Sequence, residues 1–460
     1  MTDYRAYSYW LETAGDDLAP RPPLPHSLAV DVAILGAGYT GLWTAYYLQE
    51  ANPDLTIAII EREVAGFGAS GRNGGWATPT FAVGPAGIAR RFGPEAARSL
   101  QSALYGALDE LAAVLAREGI DADLVRGGKL RIARGLHQLP AIRQAYREYQ
   151  QVGLGDHHRL LDSAELAERI RVDGALGALW TPDCAVVHPG KLVRGLARAV
   201  ERRGATIYEQ TEVTDVVPGA TPRLVTPAGD VQARTVVLAG EAYLSRLRLL
   251  HRQLIPVHSL IVLTEPLSDA QWEAIGWSGR ECLASTRLSV DYLSRTRDGR
   301  ILFGGRGAPY HLGSQLSDGQ DRHAPTHAML RRMATEWFPQ LRDVAFTHAW
   351  GGPVGVSRDW MPTVAYDRGS GIASARAYAG QGVVVSNLAG RILRDLIVQQ
   401  DSPLTRLPMV GHRSPDWEPE PLRWLGVRYV QRGLLRTDAR AERRQRPPSG
   451  RTLAERMGAH

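Results

Sequence analysis

The residues best suited to chemistry in this sequence are three glycines and one acid near its start. Gly36, Gly38 and Gly41 form the pattern G-x-G-x-x-G, and Glu61 follows twenty residues after the last glycine. Glycine lets the backbone approach a pyrophosphate, a following helix offers N–H groups, and a carboxylate accepts hydrogen bonds from ribose hydroxyls. The spacing predicts a dinucleotide site, and Glu61 argues against a ribose 2′-phosphate.

Two apolar runs and a helix must hold these groups in place. Residues 30–35 (VDVAIL) and 55–60 (LTIAII) are typical of strands buried on both faces. Between them, Gly41, Ala45 and Leu48 recur at helical spacing, so a stripe of small and apolar residues can lie against the sheet. This order predicts a nucleotide-binding α/β unit, although it does not separate FAD from NAD.

Further motifs follow along the chain. Residues 69–76 read ASGRNGGW, in which Ser70, Arg72 and Asn73 can donate hydrogen bonds to a phosphate or a ring. The later motifs are VHPGK at 187–191, VVLAGEAY at 236–243, ILFGGR at 301–306, SRDWMP at 357–362 and AGQGV at 379–383. On these motifs, over about residues 30–401, the sequence resembles the FAD-dependent D-amino-acid oxidase, glycine oxidase and sarcosine oxidase family. The SYWL segment at residues 8–11, together with ASGRNGGW, looks nearest to the gamma-glutamylputrescine oxidase branch.

The resemblance implies a bound FAD and assigns its contacts. In that family the loop matching residues 69–76 lies beside the isoalloxazine and the pyrophosphate, and the backbone matching Val213 contacts adenine. The loop matching residues 380–383 abuts the pyrimidine end, where N–H groups and a helix start stabilise the anionic reduced ring. Neither Cys184 nor Cys282 stands where some relatives attach FAD, so we expect non-covalent FAD. The implied cofactor residues are Gly36, Gly38, Tyr39, Thr40, Gly41, Glu61, Arg62, Ala69, Ser70, Arg72, Asn73, Gly74, Gly75, Val213, Ala239, Gly240, Gly380, Gln381, Gly382 and Val383.

The nucleotide motifs return in three separated blocks, which predicts an α/β fold with two interleaved domains. We expect a discontinuous Rossmann-type FAD-binding domain and an α+β substrate domain with a mostly antiparallel sheet. The predicted boundaries are 30–92, 183–250 and 350–408 for the FAD-binding domain, 93–182 and 251–349 for the substrate domain, 1–29 for an N-terminal segment and 409–460 for a basic helical tail. Within the substrate domain, helices are expected at 93–119 and 162–170, and strands at 257–264, 283–296 and 301–304.

The resemblance also implies the reaction, which is oxidation of a C–N bond. A neutral amine or amino acid would present its C–H to flavin N5, and hydride transfer would give an imine that water hydrolyses. Oxygen, with release of hydrogen peroxide, or another acceptor would then reoxidise the flavin. The protein must hold the donor carbon within about 3–3.5 Å of N5 and exclude water. A cleft can do both, so no strong acid or base is needed.

Two side chains are candidates for contact with the substrate. Tyr292 and Arg295 lie three residues apart near a pair of strands, and either could bind a substrate anion if it faces the flavin. Solvated charge on a strand is the alternative for this pair. His188 stands directly before Pro189 and a predicted helix, so we expect it to cap that helix or form a turn.

Three other functions stay open. An NAD-dependent dehydrogenase would explain residues 36–61 but would leave ASGRNGGW and GQGVVVSN without a role. A flavoprotein acting on RNA-linked amines would use the arginine-rich tail, and its RNA binding would depend strongly on salt. A flavoprotein scaffold with a structural cofactor would bind FAD without being reduced by any amine.

Composition limits the partners. Two cysteines are too few for a disulfide framework or a thiolate zinc site, and no metal is expected. The net charge of +6 comes almost wholly from residues 411–460, so no nucleic-acid partner is expected. The first twelve residues lack a signal-peptide core and no run approaches the roughly 20 apolar residues of a membrane span, which predicts a soluble, cytoplasmic protein.

The tail itself is predicted to contain a basic amphipathic helix over residues 421–446. Leu422, Leu425 and Tyr429 recur there at helical spacing. Packing of this helix on its own domain or on a second subunit is favoured over contact with an anionic membrane surface.

Overall fold

The computed structural model describes residues 2–458 of the chain. The α-helices in that range are α1 (Tyr9–Glu12), α2 (Tyr39–Ala51), α3 (Pro85–Phe92), α4 (Pro94–Glu118), α5 (Leu139–Gln151), α6 (Ser163–Ala167), α7 (Pro189–Arg202), α8 (Asp269–Ile275), α9 (Asp318–Asp321), α10 (Ala324–Trp337), α11 (Gly382–Ile397), α12 (Leu422–Arg444) and α13 (Leu453–Gly458). The strands are β1 (Leu28–Leu35), β2 (Ile57–Ile60), β3 (Trp76–Ala77), β4 (Lys129–Arg134), β5 (Arg159–Leu161), β6 (Ala175–Thr181), β7 (Ala185–Val186), β8 (Thr206–Tyr208), β9 (Asp215–Val217), β10 (Arg223–Thr226), β11 (Gly229–Leu238), β12 (Ile255–Thr264), β13 (Cys282–Ala284), β14 (Asp291–Arg295), β15 (Ile301–Arg306), β16 (Phe346–Val356), β17 (Thr363–Asp367) and β18 (Ile372–Arg376).

The first sheet surrounds the glycine motif. Its strand order is β17-β18-β11-β1-β2-β8, with β10 and β9 added antiparallel beside β11. The strands from β18 to β8 run parallel, and β1 is hydrogen-bonded on both edges. Helices cover both faces of such a sheet, which is why the sequence of β1 is apolar throughout its second half. Val32, Ala33 and Ile34 are at most 2% exposed.

The second sheet is mostly antiparallel. Its order is β16-β12-β15-β14-β13-β4-β6-β5, and only β13 and β4 pair in parallel. Side chains alternate along each strand, so Leu293 and Phe303 point to the face covered by α10. The opposite face carries Tyr292, Gly304 and Arg306. It is turned toward the glycine-rich loop, since a Cβ placed on Gly74 would lie 2.4 Å from the Tyr292 ring.

These elements confirm the α/β class and most of the predicted elements. The helix expected at 93–119 is α4, and the strands expected at 257–264 and 301–304 are β12 and β15. The continuous sheet run expected at 283–296 is wrong, because β13 ends at Ala284 and β14 starts at Asp291. Ser285 donates from both its N–H and its Oγ to Asp291 Oδ1, at 2.9 and 2.7 Å, which closes a loop between the two strands.

The division into domains stays a prediction, and two elements bear on it. Helix α4 falls within the segment 93–182 but packs Leu104 and Leu108 into the core beneath the parallel sheet. Strand β16 crosses the predicted boundary at residue 350 as a full member of the antiparallel sheet.

The tail forms the predicted helix, α12, and packs on the chain itself. Asp438 accepts hydrogen bonds from the N–H groups of Leu288 and Ser289, at 3.0 and 2.8 Å. Leu422, Leu425 and Tyr429, the apolar residues that predict the helix in the sequence, are instead at least 50% exposed. Across residues 2–458, no helix combines the length and the apolar character needed to cross a membrane.

Candidate nucleotide and active site

A cavity of about 400 Å³ lies at the carboxyl ends of the parallel strands. Leu35 ends β1, Ile60 ends β2 and Ala239 follows β11, and all three residues line this cavity. Ligands of open parallel sheets bind at such a place, because the loops that leave the strand ends diverge there.

The glycine turn brings backbone to the cavity wall. Gly36 has φ +102°, and a Cβ there would lie 2.9 Å from the carbonyl oxygen of Ala239. A Cβ on Gly41 would lie 2.1 Å from the carbonyl oxygen of Gly36, so the third glycine keeps α2 against the turn. Gly38 precedes α2 without a side-chain cap of its own, so N–H groups of the first turn other than that of Tyr39 are left for an anion.

Glu61 is held at the end of β2 by backbone donors. Its Oε2 accepts from the Ala37 N–H at 2.9 Å and its Oε1 from the Glu63 N–H at 3.0 Å. Burial raises the pKa of this carboxyl group, and the two N–H donors oppose that shift. A carboxylate has about four lone-pair sites. Two therefore remain for hydroxyl groups in the cavity that Glu61 lines.

The second glycine-rich loop is braced against the start of α2. Ser70 Oγ accepts from the Tyr39 N–H at 2.9 Å. Asn73 donates from Nδ2 to the carbonyl oxygens of Ala69 and Ser70, both at 3.1 Å, and accepts from the Gly75 N–H at 2.9 Å. Asn73 therefore shapes the loop that lines the cavity.

The closing loop reaches the same cavity from the other end of the chain. The hydroxyl groups of Tyr378 and Thr40 are hydrogen-bonded at 2.9 Å. Gly380 has φ +94°, and α11 begins at Gly382 without a side-chain cap. Because α2 and α11 both start at this cavity, their N-termini concentrate partial positive charge there.

The structure brings most of the implied cofactor residues together. Fifteen of the twenty line the cavity, namely Gly36, Gly38, Tyr39, Thr40, Glu61, Arg62, Ala69, Ser70, Asn73, Val213, Ala239, Gly240, Gly380, Gly382 and Val383. The five that do not are Gly41, Arg72, Gly74, Gly75 and Gln381.

Contacts in the structure account for four of these five residues. Arg72 is turned into the protein, where it forms an ion pair with Asp321 at 2.8 Å. Gly74 and Gly75 leave space for other groups, because a Cβ on Gly75 would lie 2.8 Å from the carbonyl oxygen of Val187. Gly41 supports the turn from behind, and Gln381 is the residue before α11.

Sequence reasoning missed several lining residues, namely Phe67, Glu241, Tyr243, Pro353 and Tyr378. Glu241 and Tyr243 stand inside VVLAGEAY, directly after β11, and that position could have indicated them. The other three follow no pattern in the sequence that predicts a ligand.

Glu241 is a half-buried residue of the cavity wall whose carboxyl pKa is shifted upward. Its Oε1 accepts from the Tyr378 N–H at 3.2 Å, whereas Oε2 is buried without a hydrogen-bond partner among the described residues. Burial raises the pKa of this carboxyl group to about 7, against the pull of nearby backbone N–H groups and of the Arg376 guanidinium.

We expect Glu241→Gln to remove a pH dependence of stability. A carboxyl group whose pKa is raised on folding is best accommodated when protonated, below about pH 4.5. Relative to the variant, the wild type should lose up to about 3 kcal/mol as the pH rises through the interval from about 4.5 to 7. Urea unfolding of both proteins at about pH 5, 6, 7 and 8 measures this difference. A difference that stays constant with pH would contradict the assignment.

The structure separates the two candidate substrate contacts. Tyr292 lies on the sheet face turned toward the glycine-rich loop, and its hydroxyl is hydrogen-bonded to Ser259 Oγ at 2.9 Å. Arg295 is not brought to the site, because residues three apart on a strand point to opposite faces. Its guanidinium lies 3.8 Å from the centre of the Trp272 ring and donates to the Trp277 carbonyl oxygen.

His188 has the structural role expected of it. It precedes α7, and its Nδ1 accepts from the Lys191 N–H at 3.1 Å, which confirms the capping prediction. Burial lowers the pKa of this imidazole to about 4, in keeping with a neutral ring that accepts. Within residues 2–458, no group of His, Cys, Asp or Glu side chains is arranged to hold a metal ion.

Comparison with known proteins gives a family match over most of the chain. A family model described as FAD dependent oxidoreductase (DAO) matches residues 31–396. The gamma-glutamylputrescine oxidoreductase of Escherichia coli (strain K12) is 30% identical over 401 residues, which cover 86% of this chain and 90% of that protein. The glycine oxidase of Geobacillus kaustophilus (strain HTA426) is 25% identical over 391 residues, or 82% of this chain and 95% of that protein.

A solved structure shows the same fold. The crystal structure of glycine oxidase from Geobacillus kaustophilus matches with a TM-score of 0.66 at 22% identity, covering 84% of this chain and 100% of that one. The family match ends at residue 396, so α12 and α13 lie beyond it.

Proposed function

Because the chain belongs to the DAO family of FAD-dependent oxidoreductases, we propose that it oxidises the C–N bond of an amine or amino acid by hydride transfer to FAD. The resemblance noted in the sequence is thereby confirmed, and so is the enzyme class, an FAD-dependent oxidoreductase acting on amines or amino acids. The hydride step, the electron acceptor and the particular substrate make up the proposal.

The observation that carries this proposal is that two helix starts without a side-chain cap from their own N-cap residues meet the half-buried Glu61 carboxylate at the strand ends. The glycine turn and α2 fit a pyrophosphate, and Glu61 fits ribose hydroxyls. Val213, whose counterpart in the resembling family contacts adenine through its backbone, lines the same cavity. The residues present therefore fit an FAD molecule.

When bound, FAD supplies a two-electron acceptor at its N5 atom. The chain supplies orientation, and the N–H groups at the start of α11 would stabilise negative charge at the pyrimidine end. Pro353 and Val354 add an apolar wall that excludes water and favours the neutral form of an amine. Water then hydrolyses the imine product, and a positioned cleft is sufficient for this chemistry.

The substrate we propose is an amine of the kind that the Escherichia coli relative is named for, a gamma-glutamylated diamine. The 30% identity over most of both chains supports this class. The SYWL segment, which resembles the gamma-glutamylputrescine oxidase branch, also supports this substrate class, because it contacts the cofactor loop. Trp10 Nε1 donates to the carbonyl oxygen of Asn73 at 2.7 Å, which fixes the cofactor loop.

We further propose that FAD is held without a covalent bond. Cys184 and Cys282 are both 0% exposed, pack with Val186, and are not among the cavity residues. The NAD alternative loses support, because the loops at 69–73 and 380–383 line the same cavity as the glycine turn.

In this proposal the two sheets have different roles. The parallel sheet and the loops at its strand ends hold FAD, and the Tyr292 face of the antiparallel sheet covers the flavin ring on the substrate side. The predicted domain boundaries, the cytoplasmic location and the absence of a nucleic-acid partner stay predictions.

Anaerobic reduction of the flavin tests the proposed function. The purified protein should be yellow, acid precipitation should release all FAD into the supernatant, and a gamma-glutamylated diamine should bleach the flavin faster than diamines, sarcosine or D-amino acids do. Adding oxygen and measuring hydrogen peroxide then distinguishes an oxidase from an enzyme that uses another acceptor. A flavin that no member of this panel reduces would refute the proposal and favour a structural cofactor.

A further inference from the structure

A second cavity, of about 320 Å³, lies beneath the C-terminal helix α12. Its floor is the Arg306 face of the antiparallel sheet, with Val257 from β12 and Val356 from β16. Its outer wall is one side of α12, where the lining residues recur every four positions at Gly426, Val430 and Leu434. The lining is predominantly apolar.

This second cavity adjoins the first at one pair of strands. Val257 lines the second cavity and Val354 lines the first, and these residues face each other across the β12–β16 pairing. Directly opposed residues of antiparallel strands have Cα atoms only about 4.5–5.5 Å apart. Arg306 makes another link, since it donates to the carbonyl oxygen of Ala379, the neighbour of Gly380.

Three guanidinium groups line the second cavity, and two of them have carboxylate partners. Arg358 pairs with Glu418 at 3.1 Å and Arg423 pairs with Glu420 at 3.0 Å. Arg306 differs, because its contacts among the described residues are the Ala379 carbonyl oxygen at 3.3 Å and the Trp360 ring at 5.1 Å.

Arg306 lines the second cavity, so the lack of a carboxylate partner among its described contacts bears on what the cavity can bind. Burial lowers the pKa of its guanidinium, and the Tyr292 phenol opposes that shift. Arg306 is half-buried, and cations removed from water in proteins are normally paired. An arginine that lines a cavity without such a partner is suited to bind a carboxylate from a ligand.

The wall that closes the cavity is fixed by specific hydrogen bonds rather than by apolar contact alone. Gln431 accepts from the Tyr310 N–H at 3.1 Å and donates to the Ala308 carbonyl oxygen at 3.2 Å. Before the helix, Trp417 donates from Nε1 to the Val356 carbonyl oxygen at 3.0 Å. The middle of α12 is thus tied to the loop that follows β15, and the segment before α12 is tied to β16.

From these contacts we propose that α12 forms the outer wall of the substrate chamber, and that Arg306 binds the anionic end of a substrate whose middle part is apolar. The inference rests on the proposed function, because the amine end of such a substrate would extend from this chamber toward the flavin cavity. It assigns a specificity role to a helix beyond the family match, so the length of substrate accepted would depend on the α12 side chains.

Binding of hexanoate to the FAD-loaded, full-length protein tests the proposal without turnover. Hexanoate has an apolar body and a carboxylate but no amine to oxidise, and calorimetric titration should show that the wild type binds it. Val430→Trp, which fills the cavity, and Arg306→Met, which removes the cation, should each weaken binding by at least about tenfold. Hexanol, which lacks the charge, should bind wild type and Arg306→Met equally.

The matched control is Leu425→Trp on the same helix, because Leu425 is 52% exposed and is not among the lining residues. It should bind hexanoate as the wild type does. Gly426→Leu is a second filling variant, since a Cβ there meets only Met457 Cε, at 3.9 Å, and leucine is the better helix former. If Val430→Trp does not fold, Gly426→Leu decides.

Three results would overturn the proposal. They are wild type that does not bind hexanoate, filling variants that bind it as tightly as the wild type, and Arg306→Met that binds it as tightly as the wild type. Failure of every amine to reduce the wild-type flavin is a separate result that refutes the proposed function, because the hexanoate titration does not depend on it.

Discussion

Replacement of Gly41 by alanine is expected to yield protein almost free of flavin. The new Cβ would lie 2.1 Å from the carbonyl oxygen of Gly36 and 3.1 Å from Ile34 Cγ2, so either the glycine turn or α2 must move. Overpacking of this kind costs about 1–3 kcal/mol, which corresponds to a loss of FAD affinity of about 5- to 150-fold. Absorbance of the purified protein and titration with FAD measure the effect.

Gly106→Ala is the matched control for this variant. Gly106 also lies within a helix, α4, but a Cβ there would meet no atom within 4 Å. Alanine should therefore stabilise the helix by up to about 1 kcal/mol and leave flavin content unchanged. Wild-type flavin content in Gly41→Ala would show that the turn does not hold the pyrophosphate.

Arg72→Met is expected to produce the largest loss of stability, about 3–5 kcal/mol in the free energy of unfolding. Arg72 is 3% exposed, forms its ion pair with Asp321 at 2.8 Å and donates to the Tyr243 hydroxyl at 2.6 Å. Its guanidinium also lies 4.8 Å from the centre of the Phe67 ring. Methionine keeps much of the volume but leaves the buried Asp321 carboxylate without this cation. Denaturant unfolding measures the loss.

Two further variants show whether the ion pair is the cause. Arg72→Met combined with Asp321→Asn should recover part of the stability, because the buried negative charge is removed together with its partner. Arg234→Met is the surface control. Its side chain is 84% exposed and pairs with Asp31 at 3.3 Å, so the change should cost less than about 1 kcal/mol. Equal losses from both single variants would contradict the assignment.

Local signals account for the part of the site that could be predicted from the sequence. The turn at Gly36 needs a positive φ and close backbone contact, which only glycine permits, and the apolar runs beside it are short enough to be buried strands. Glu61 follows because its spacing from Gly41 is set by one helix and one strand. Such features depend on neighbours close in the chain, and the structure has all of them in the cavity or directly behind it.

Features that depend on distant neighbours could not be predicted in this way. By its residue type and its place in the loop, Arg72 is expected to donate hydrogen bonds to the cofactor. It points away from the cavity because it pairs with Asp321, which lies 249 residues later in the chain. Arg295 stands near Tyr292 in the sequence, but strand alternation puts the two side chains on opposite faces. On α12, Leu425 and Tyr429 recur at the spacing of a core stripe, yet the sheet lies against the Val430 side.

The hydrogen bond between Thr40 and Tyr378 joins residues 338 positions apart, and both line the same cavity. During synthesis on a ribosome, a nascent chain would therefore display the glycine turn long before the closing loop emerges. Contacts of such long sequence separation form late and slowly, because the entropy of closing the intervening loop must be overcome first. A ligand that touches both ends would bind only the completed fold. The supply of the cofactor in the cell would thus influence the fraction of newly made chains that remain folded and escape degradation.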